Sequence, residues 1–411
     1  MPGIPKRRFA RFSARSLLFF LWAGVALLQA QSSEFALVGA RIYPAPDAEP
    51  IFNGVVHIRD GRIENVGEAA SLKLPPHISV MDCTGASIAA GFWNSHIHFT
   101  DPQWENAAAL PAARLTQQLE RMLTRYGFTT VFDLGSLFQN TQALRARIEA
   151  GEVQGPRIFT VGEPLVAKDG TPYYIKPLRL PELYSPAQAA ELAAAKLAQG
   201  ADGIKLHVGA IVDRERNAHA RIAVDLVRAV AEVAHRQGKL VFAHPQYREG
   251  LESAVEGGVD VLAHVTEELD RWDPDLLARV RSRHMTLIPT LKLLAGTEPG
   301  RQQQALLTQV GDYARAGGQI LFGTDAGFLP DCDPTDEYAL MQKAGMSYRE
   351  ILSALTTAPA QRFGLEKRTG RLAPGFDADL VVLSGDPASD VRNFARVRYA
   401  LRKGKVIYRA Q

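Results

Sequence analysis

The sequence predicts an α/β protein: a (β/α)8 TIM barrel over residues 86–371, flanked by a small β-sandwich that both chain ends build, residues 31–85 and 372–411. Two observations predict it. From residue 86 onward eight short apolar runs alternate with helical segments, and outside that region the chain reads as strands joined by turns. Continuous apolar strands alternating with helices imply a parallel sheet covered on both faces, and eight such units argue for a closed barrel.

Taken in order, the first segment stands outside the fold. MPGIPKRRFARFSAR carries five bases and no acid, LLFFLWAGVALL is an apolar run, and LQA follows, which reads as a secretory signal peptide over residues 1–30 cleaved after Ala30. The apolar run falls short of the roughly 20 residues a membrane span needs. The expectation is an exported chain, periplasmic or secreted, with no membrane association after cleavage.

Next come FALVGARIYPAP, NGVVHIRDGRIENVG and ISVMDCTGASI, strand-like stretches with Asp60-Gly61 suited to a hairpin. The barrel strands read SIAAGFWNSHIHF, TTVFDLG, PRIFTVG, DGIKLHV, KLVFAHPQ, VDVLAHV, MTLIPTL and QILFGTDAG. Between them lie Ala-rich helical patterns such as SPAQAAELAAAKLAQGA and RIAVDLVRAVAEVAHRQG, several ending in a glycine that suits a helix C-terminus. After the last helix, GRLAPGFDADLVVLSGDPASD and ARVRYALRKGKVIYRA return to strand character and complete the sandwich.

Charge and cysteine content narrow the function. Five of the 47 Lys and Arg sit in the leader, so the remaining 42 face 44 acids and the mature chain is near neutral. With no basic run beyond the leader, a nucleic-acid surface is excluded as an expectation. Cys83 and Cys332 make no disulfide framework, and two free thiols is the preferred reading.

In barrels of this kind the site gathers at the C-terminal ends of the strands. His96 and His98 end the first strand two residues apart, so both imidazoles share one face. Lys205 lies near the end of the fourth strand, His244 ends the fifth, His264 the sixth and Asp325 the eighth. His57, His77, His219, His235 and His284 fall elsewhere and read as surface or structural residues.

This order, His-x-His, Lys, His, His, Asp on strands one, four, five, six and eight, resembles the amidohydrolase superfamily. Within it the sequence looks most like the imidazolonepropionase-like branch that includes Xaa-Pro dipeptidases, and GFTTVFDLGS and GRLAPGFDADLVVLSGDP extend the likeness over residues 35–411. The resemblance implies two divalent metal ions, zinc before manganese or iron. His96, His98 and Asp325 would hold one, His244 and His264 the other, and Lys205, carboxylated by CO₂ to a carbamate, would bridge them. It further implies attack by a metal-bridging hydroxide, with Asp325 as ligand and proton carrier. The sequence departs from the family pattern where Pro245 follows His244.

The resulting expectation is a metal-dependent amidohydrolase that cleaves small peptides, Xaa-Pro or hydrophobic dipeptides. The alternatives are a mononuclear cyclic-amide hydrolase or deaminase, and an exported binding protein without turnover. Substrate-binding candidates are His207, which shares the face of Lys205, and Tyr247, Arg248 and Lys292, which follow strands five and seven and could meet a carboxylate. Tyr173, Tyr174 and Trp104 are candidate aromatic walls. The partner is a small molecule or short peptide, and a homo-oligomer is compatible with the chain.

Overall fold

The computed structural model describes residues 34–297 and 300–411. The leader read in residues 1–30 lies outside them. Among the described residues no helix is long and apolar enough to cross a membrane.

Each of the eight apolar runs carries a strand. In chain order these are Phe92–Ile97, Phe128–Asp133, Arg157–Thr160, Gly203–Asp213, Leu240–Pro245, Val261–Ala263, Thr286–Ile288 and Gln319–Ile320. The first three pair in parallel as one sheet. The other five pair in parallel as a second sheet, extended by the short strands Leu165–Ala167 and Glu182–Leu183. Backbone hydrogen bonds run on across both gaps. Ser95 N donates to Phe322 O at 2.8 Å on one side, and Asp202 N to Thr160 O at 2.8 Å on the other.

Helices follow each strand, and their ends carry the predicted signals. Pro186 opens the helix Pro186–Ala198, where Ser185 Oγ accepts from Gln188 N at 3.3 Å. Arg248–Gly257 stops at Gly258, which takes a left-handed φ of +89°.

The run SIAAGFWNSHIHF, expected as one strand, is two. Ser87–Ala90 pairs with Glu34–Ile42 and Leu380–Leu383, whereas Phe92–Ile97 starts the parallel strands. The division falls at Gly91, whose amide donates to Asp379 O at 2.8 Å and where any Cβ would lie 2.2 Å from Thr129 Oγ1. Both chain ends meet in this outer sheet, which runs Lys405–Arg409, Val397–Arg402, Leu380–Leu383, Ser87–Ala90, Glu34–Ile42, Ile51–Arg59 and Arg62–Glu68, with Ser79–Asp82 beside Glu34–Ile42. Asp60 and Gly61 make its hairpin with φ of +50° and +75°, the twist that two-residue β-turns require. Partly buried Arg157 ties this sheet to the third parallel strand through Asp377 at 3.3 Å and Asp379 at 3.1 Å.

The short strands Leu165–Ala167, Glu182–Leu183 and Ala218–Arg221 have no counterpart in the sequence reading. The fourth parallel strand continues past the sheet and folds back as an antiparallel arm against Ala218–Arg221. Side-chain alternation then sets the floor beneath the site. Phe132, Phe242, Ile288 and Leu321 belong to one buried cluster. His244 lies two residues beyond Phe242 on the same strand, the spacing that keeps both side chains on one face, whereas Thr290 and Asp325 lie past the ends of their strands at left-handed φ.

Candidate metal centre

The strand ends bring four imidazoles, one amine and one carboxylate into a single buried volume. His96 and His264 ring centroids lie 4.7 Å apart, His244 and His264 4.7 Å, and His96 and His98 5.1 Å. Asp325 reaches among them: its Oδ1 is 2.9 Å from His98 Nε2 and 3.6 Å from His96 Nε2, and its Oδ2 is 3.7 Å from His264 Nε2. Donor atoms of His96, His264 and Asp325 all fall within 4.8 Å of one another. Both His264, at φ +123°, and Asp325, at φ +58°, hold backbone conformations that are uncommon for residues with a side chain. Such strain survives only where the surroundings fix it, as functional sites do.

Crowding is managed by glycines. At Gly323 a Cβ would lie 2.4 Å from Ile288 Cγ2 and 2.9 Å from His96 Cβ. At Gly327, φ +96°, it would lie 1.9 Å from His98 O.

Burial sets the electrostatics. It holds His96 and His264 well below the ordinary imidazole pKa, with the Lys205 charge among the neighbours that push them lower, and takes His244 down to about 3. His98 moves the other way: burial pushes it down, but the facing Asp325 carboxylate outweighs that and holds it above its usual value. Lys205, 2% exposed, is brought by burial to about 7 despite the pull of Asp325.

The donor set fits divalent cations. Neutral imidazoles and a carboxylate are the ligand types that Zn²⁺, Mn²⁺ and Fe²⁺ take. His96 Nδ1, His244 Nε2 and Asp325 Oδ1 are buried with no hydrogen-bond partner, a state costing about 1–3 kcal/mol per group. Asp325 Oδ1 stands close to His98 without hydrogen-bond alignment. His98 Nδ1 donates to Gly135 O at 2.9 Å and His264 Nδ1 to Thr290 Oγ1 at 2.6 Å, so each ring is tied outward and turns Nε2 toward Asp325, with His98 Nε2 also 3.2 Å from His96 Nε2.

Most of the chain carries the resemblance that these residues suggest. The amidohydrolase family model matches residues 87–407. The chain belongs to the amidohydrolase family. This amidohydrolase is similar to ochratoxinase of Aspergillus niger, 23% identical over 90% of the chain and 85% of that enzyme. Among solved structures it superposes on a candidate prolidase from Bifidobacterium longum with a TM-score of 0.76, 27% identity and coverage of 92% and 95%. A Xaa-Pro dipeptidase with bound methionine matches with a TM-score of 0.78, 20% identity and coverage of 92% and 100%. The amidohydrolase is a hydrolase acting on carbon–nitrogen bonds.

The remaining candidates lie at varied distances from this centre. His207, buried, stacks on His244 at 4.8 Å and leaves Nδ1 without a partner. Tyr247 donates its hydroxyl to Ala220 O and stacks on His219, so it secures the arm. Arg248 pairs with Glu252 at 3.7 Å on its own helix. Lys292 spends its ammonium on the loop after the eighth strand, donating to Asp331 Oδ2 and Asp333 O, each at 2.7 Å. Trp104 is fully buried against Phe99 at 5.0 Å and belongs to the core. Tyr174 lies between Tyr173 at 5.4 Å and Phe328 at 5.3 Å, and its hydroxyl is raised by burial and then by the Asp325 charge. Phe328, 49% exposed, was not singled out in the sequence; its place three residues beyond Asp325 was the available signal.

Proposed function

We propose that this amidohydrolase is an exported, metal-dependent peptidase acting on dipeptides with proline or a hydrophobic residue, built on a closed (β/α)8 barrel with the outer sheet as its accessory domain. The observation that carries the reading is the convergence of His96, His98, His244, His264, Lys205 and Asp325 at the strand ends, with His98 and His264 tied outward through Nδ1. His96, His98 and Asp325 would hold one ion and His244 and His264 a second, with carboxylated Lys205 between them. Bound there, divalent metal lowers the pKa of water and polarises a carbonyl.

The chain's own groups supply the rest. A buried amine brought to about 7 is neutral often enough to add to CO₂; it forms an N–C bond, loses one proton and becomes an anionic carbamate. Asp325 takes the proton of the attacking water and returns it to the departing amine, a transfer its place between His98 and His264 allows. The Tyr174 and Phe328 rings offer an apolar surface beside Asp325 for the substrate side chain. The prolidase and dipeptidase neighbours support the peptide assignment.

The test is metal content of the leader-free protein, purified without chelator, with a dipeptide library screened for released amino acids. About two ions per chain with cleavage of a restricted dipeptide set is expected. One ion and no dipeptide cleavage would move the assignment to cyclic amides or deamination.

A further inference from the structure

We propose that Asp133 and Glu337, two fully buried acids that coordinate nothing in the site described above, are positioning residues that aim His98 and His264. The inference rests on the reading of those two histidines as metal ligands. Each acid works through a loop, and the two pathways are independent.

On the first pathway, His98 Nδ1 donates to Gly135 O at 2.9 Å. Asp133 holds that turn from beneath. Its Oδ1 accepts from Gly135 N at 3.2 Å and Ser136 Oγ at 2.6 Å, and its Oδ2 accepts from Thr141 Oγ1 at 3.1 Å and Thr160 Oγ1 at 2.8 Å. Ser136 Oγ in turn accepts from Phe99 N at 2.7 Å, the amide directly after His98. One carboxylate therefore fixes both the carbonyl that His98 faces and the main chain that carries His98. Ionised, a carboxylate only accepts, so four donors can converge on it where an amide would have to present hydrogens to some of them.

On the second pathway, His264 Nδ1 donates to Thr290 Oγ1 at 2.6 Å, and the Thr290 hydroxyl proton goes to Pro289 O at 2.8 Å. With its proton committed there, the Thr290 oxygen can only accept from His264, which sets the histidine tautomer. Thr290 sits at φ +46°, a region that a β-branched residue rarely enters. Glu337 holds it there: its Oε1 accepts from Leu291 N at 2.9 Å and its Oε2 from Lys292 N at 2.7 Å, the two amides that follow Thr290. Neither acid hydrogen-bonds an imidazole, and both are 0% exposed, a placement that packing alone gives little reason to spend on a carboxylate.

The experiment is Zn²⁺ affinity of the leader-free protein by competition with a chromophoric chelator, in single and double variants. Asp133→Ala and Glu337→Ala are each expected to weaken Zn²⁺ binding by about 10–100-fold, and Asp133→Asn, whose amide nitrogen cannot accept, to recover little of the loss. In a His98→Asn background Asp133→Ala should add less than about twofold, while Glu337→Ala still adds its full effect; a His264→Asn background should reverse the pair. A merely structural role would subtract equally in every background, and that result overturns the proposal. Unchanged affinity in both alanine variants does so too. If the alanine variants do not fold, Ser136→Ala and Thr290→Val cut the same pathways with smaller changes and should show the same selective coupling. Wild-type protein that binds no Zn²⁺ would sink the metal reading and this inference with it, whereas tight wild-type binding with additive losses sinks this inference alone.

Discussion

His98 Nε2 and Asp325 Oδ1 meet at 2.9 Å although more than 200 residues separate them, because the first and eighth parallel strands lie side by side. His98 N donates to Ala326 O and Asp325 N to His96 O, at 2.8 and 2.9 Å, so the backbones are locked in register before the side chains meet. A strained Asp325 backbone is thus held from the partner strand, and its carboxylate has little freedom to miss its target.

Asp325→Asn follows from this geometry. The substitution keeps shape and backbone contacts but removes the basic oxygen that can carry a proton, so kcat should fall by about 10²–10⁴-fold on any cleaved dipeptide, the size of a lost general acid–base step. Circular dichroism and thermal midpoint should stay close to wild type. A kcat within a few fold of wild type would show that Asp325 carries no proton.

Lys205 predicts a pH dependence of metal loading. Only the neutral amine adds CO₂, and burial brings Lys205 from 10.5 to about 7. The neutral fraction rises about tenfold per pH unit below 7 and levels off above it. His96, His244, His207 and His264 are held below their usual values, whereas His98, which Asp325 holds above the usual imidazole value, must also shed its proton before it can coordinate and adds to the slope. Reconstitution of metal-free protein with Zn²⁺ and bicarbonate should therefore accelerate from pH 6 to 7 and flatten by pH 8. Between about 7 and 10.5 Lys205 itself is less protonated in the folded chain than in the unfolded one, so its contribution to metal-free stability rises with pH across that window. Lys205→Met should remove the Lys205 contribution to both dependences and the bicarbonate requirement with it.

Much of the fold and of the site is legible in the sequence, for identifiable reasons. Parallel strands buried on both faces leave continuous apolar runs, and glycines mark the helix ends, so the eight units could be counted. Polar residues at the ends of those runs stood out because nothing else in an apolar strand calls for His244, His264 or Asp325. What stayed hidden depended on tertiary partners. Gly91 divides SIAAGFWNSHIHF because Thr129 and Asp379 press on it, and neither is near in sequence. The arm formed by Gly203–Asp213 and Ala218–Arg221 turns through the charged stretch Asp213–Arg216, which gave no strand signal. Asp133 and Glu337 are single acids whose partners are backbone amides and hydroxyls, and such partners have no spacing to read. Lys292 has the chemistry to meet a substrate carboxylate, yet Asp331 and Asp333 claim its ammonium first.

Gly327→Ala tests how tightly the mouth is built. The new Cβ would stand 1.9 Å from His98 O at a φ of +96°. Left-handed backbone costs an alanine about 1–2 kcal/mol and overpacking about 1–3 kcal/mol more, so a loss of roughly 2–5 kcal/mol is expected. Denaturant unfolding of the metal-free protein should register it. Metal affinity should fall as well, since relief of the clash must move the carbonyl that follows the His98 imidazole.

Phe328→Ser tests the proposed substrate surface. Phe328 is half exposed beside Tyr174, so its removal should leave the fold and metal content unchanged. A hydrophobic side chain that loses one apolar wall typically loses about 1–3 kcal/mol of transition-state binding, or about 10–200-fold in kcat/KM. Dipeptides with a bulky apolar residue should show that drop, whereas glycyl substrates, which never reached the wall, should be cleaved within a few fold of wild type. Tyr174→Leu should act in the same direction and more weakly, because an apolar side chain still covers Phe328. Equal losses on bulky and glycyl substrates would mean that the Tyr174 and Phe328 rings shape the loops around Asp325 and do not touch the substrate.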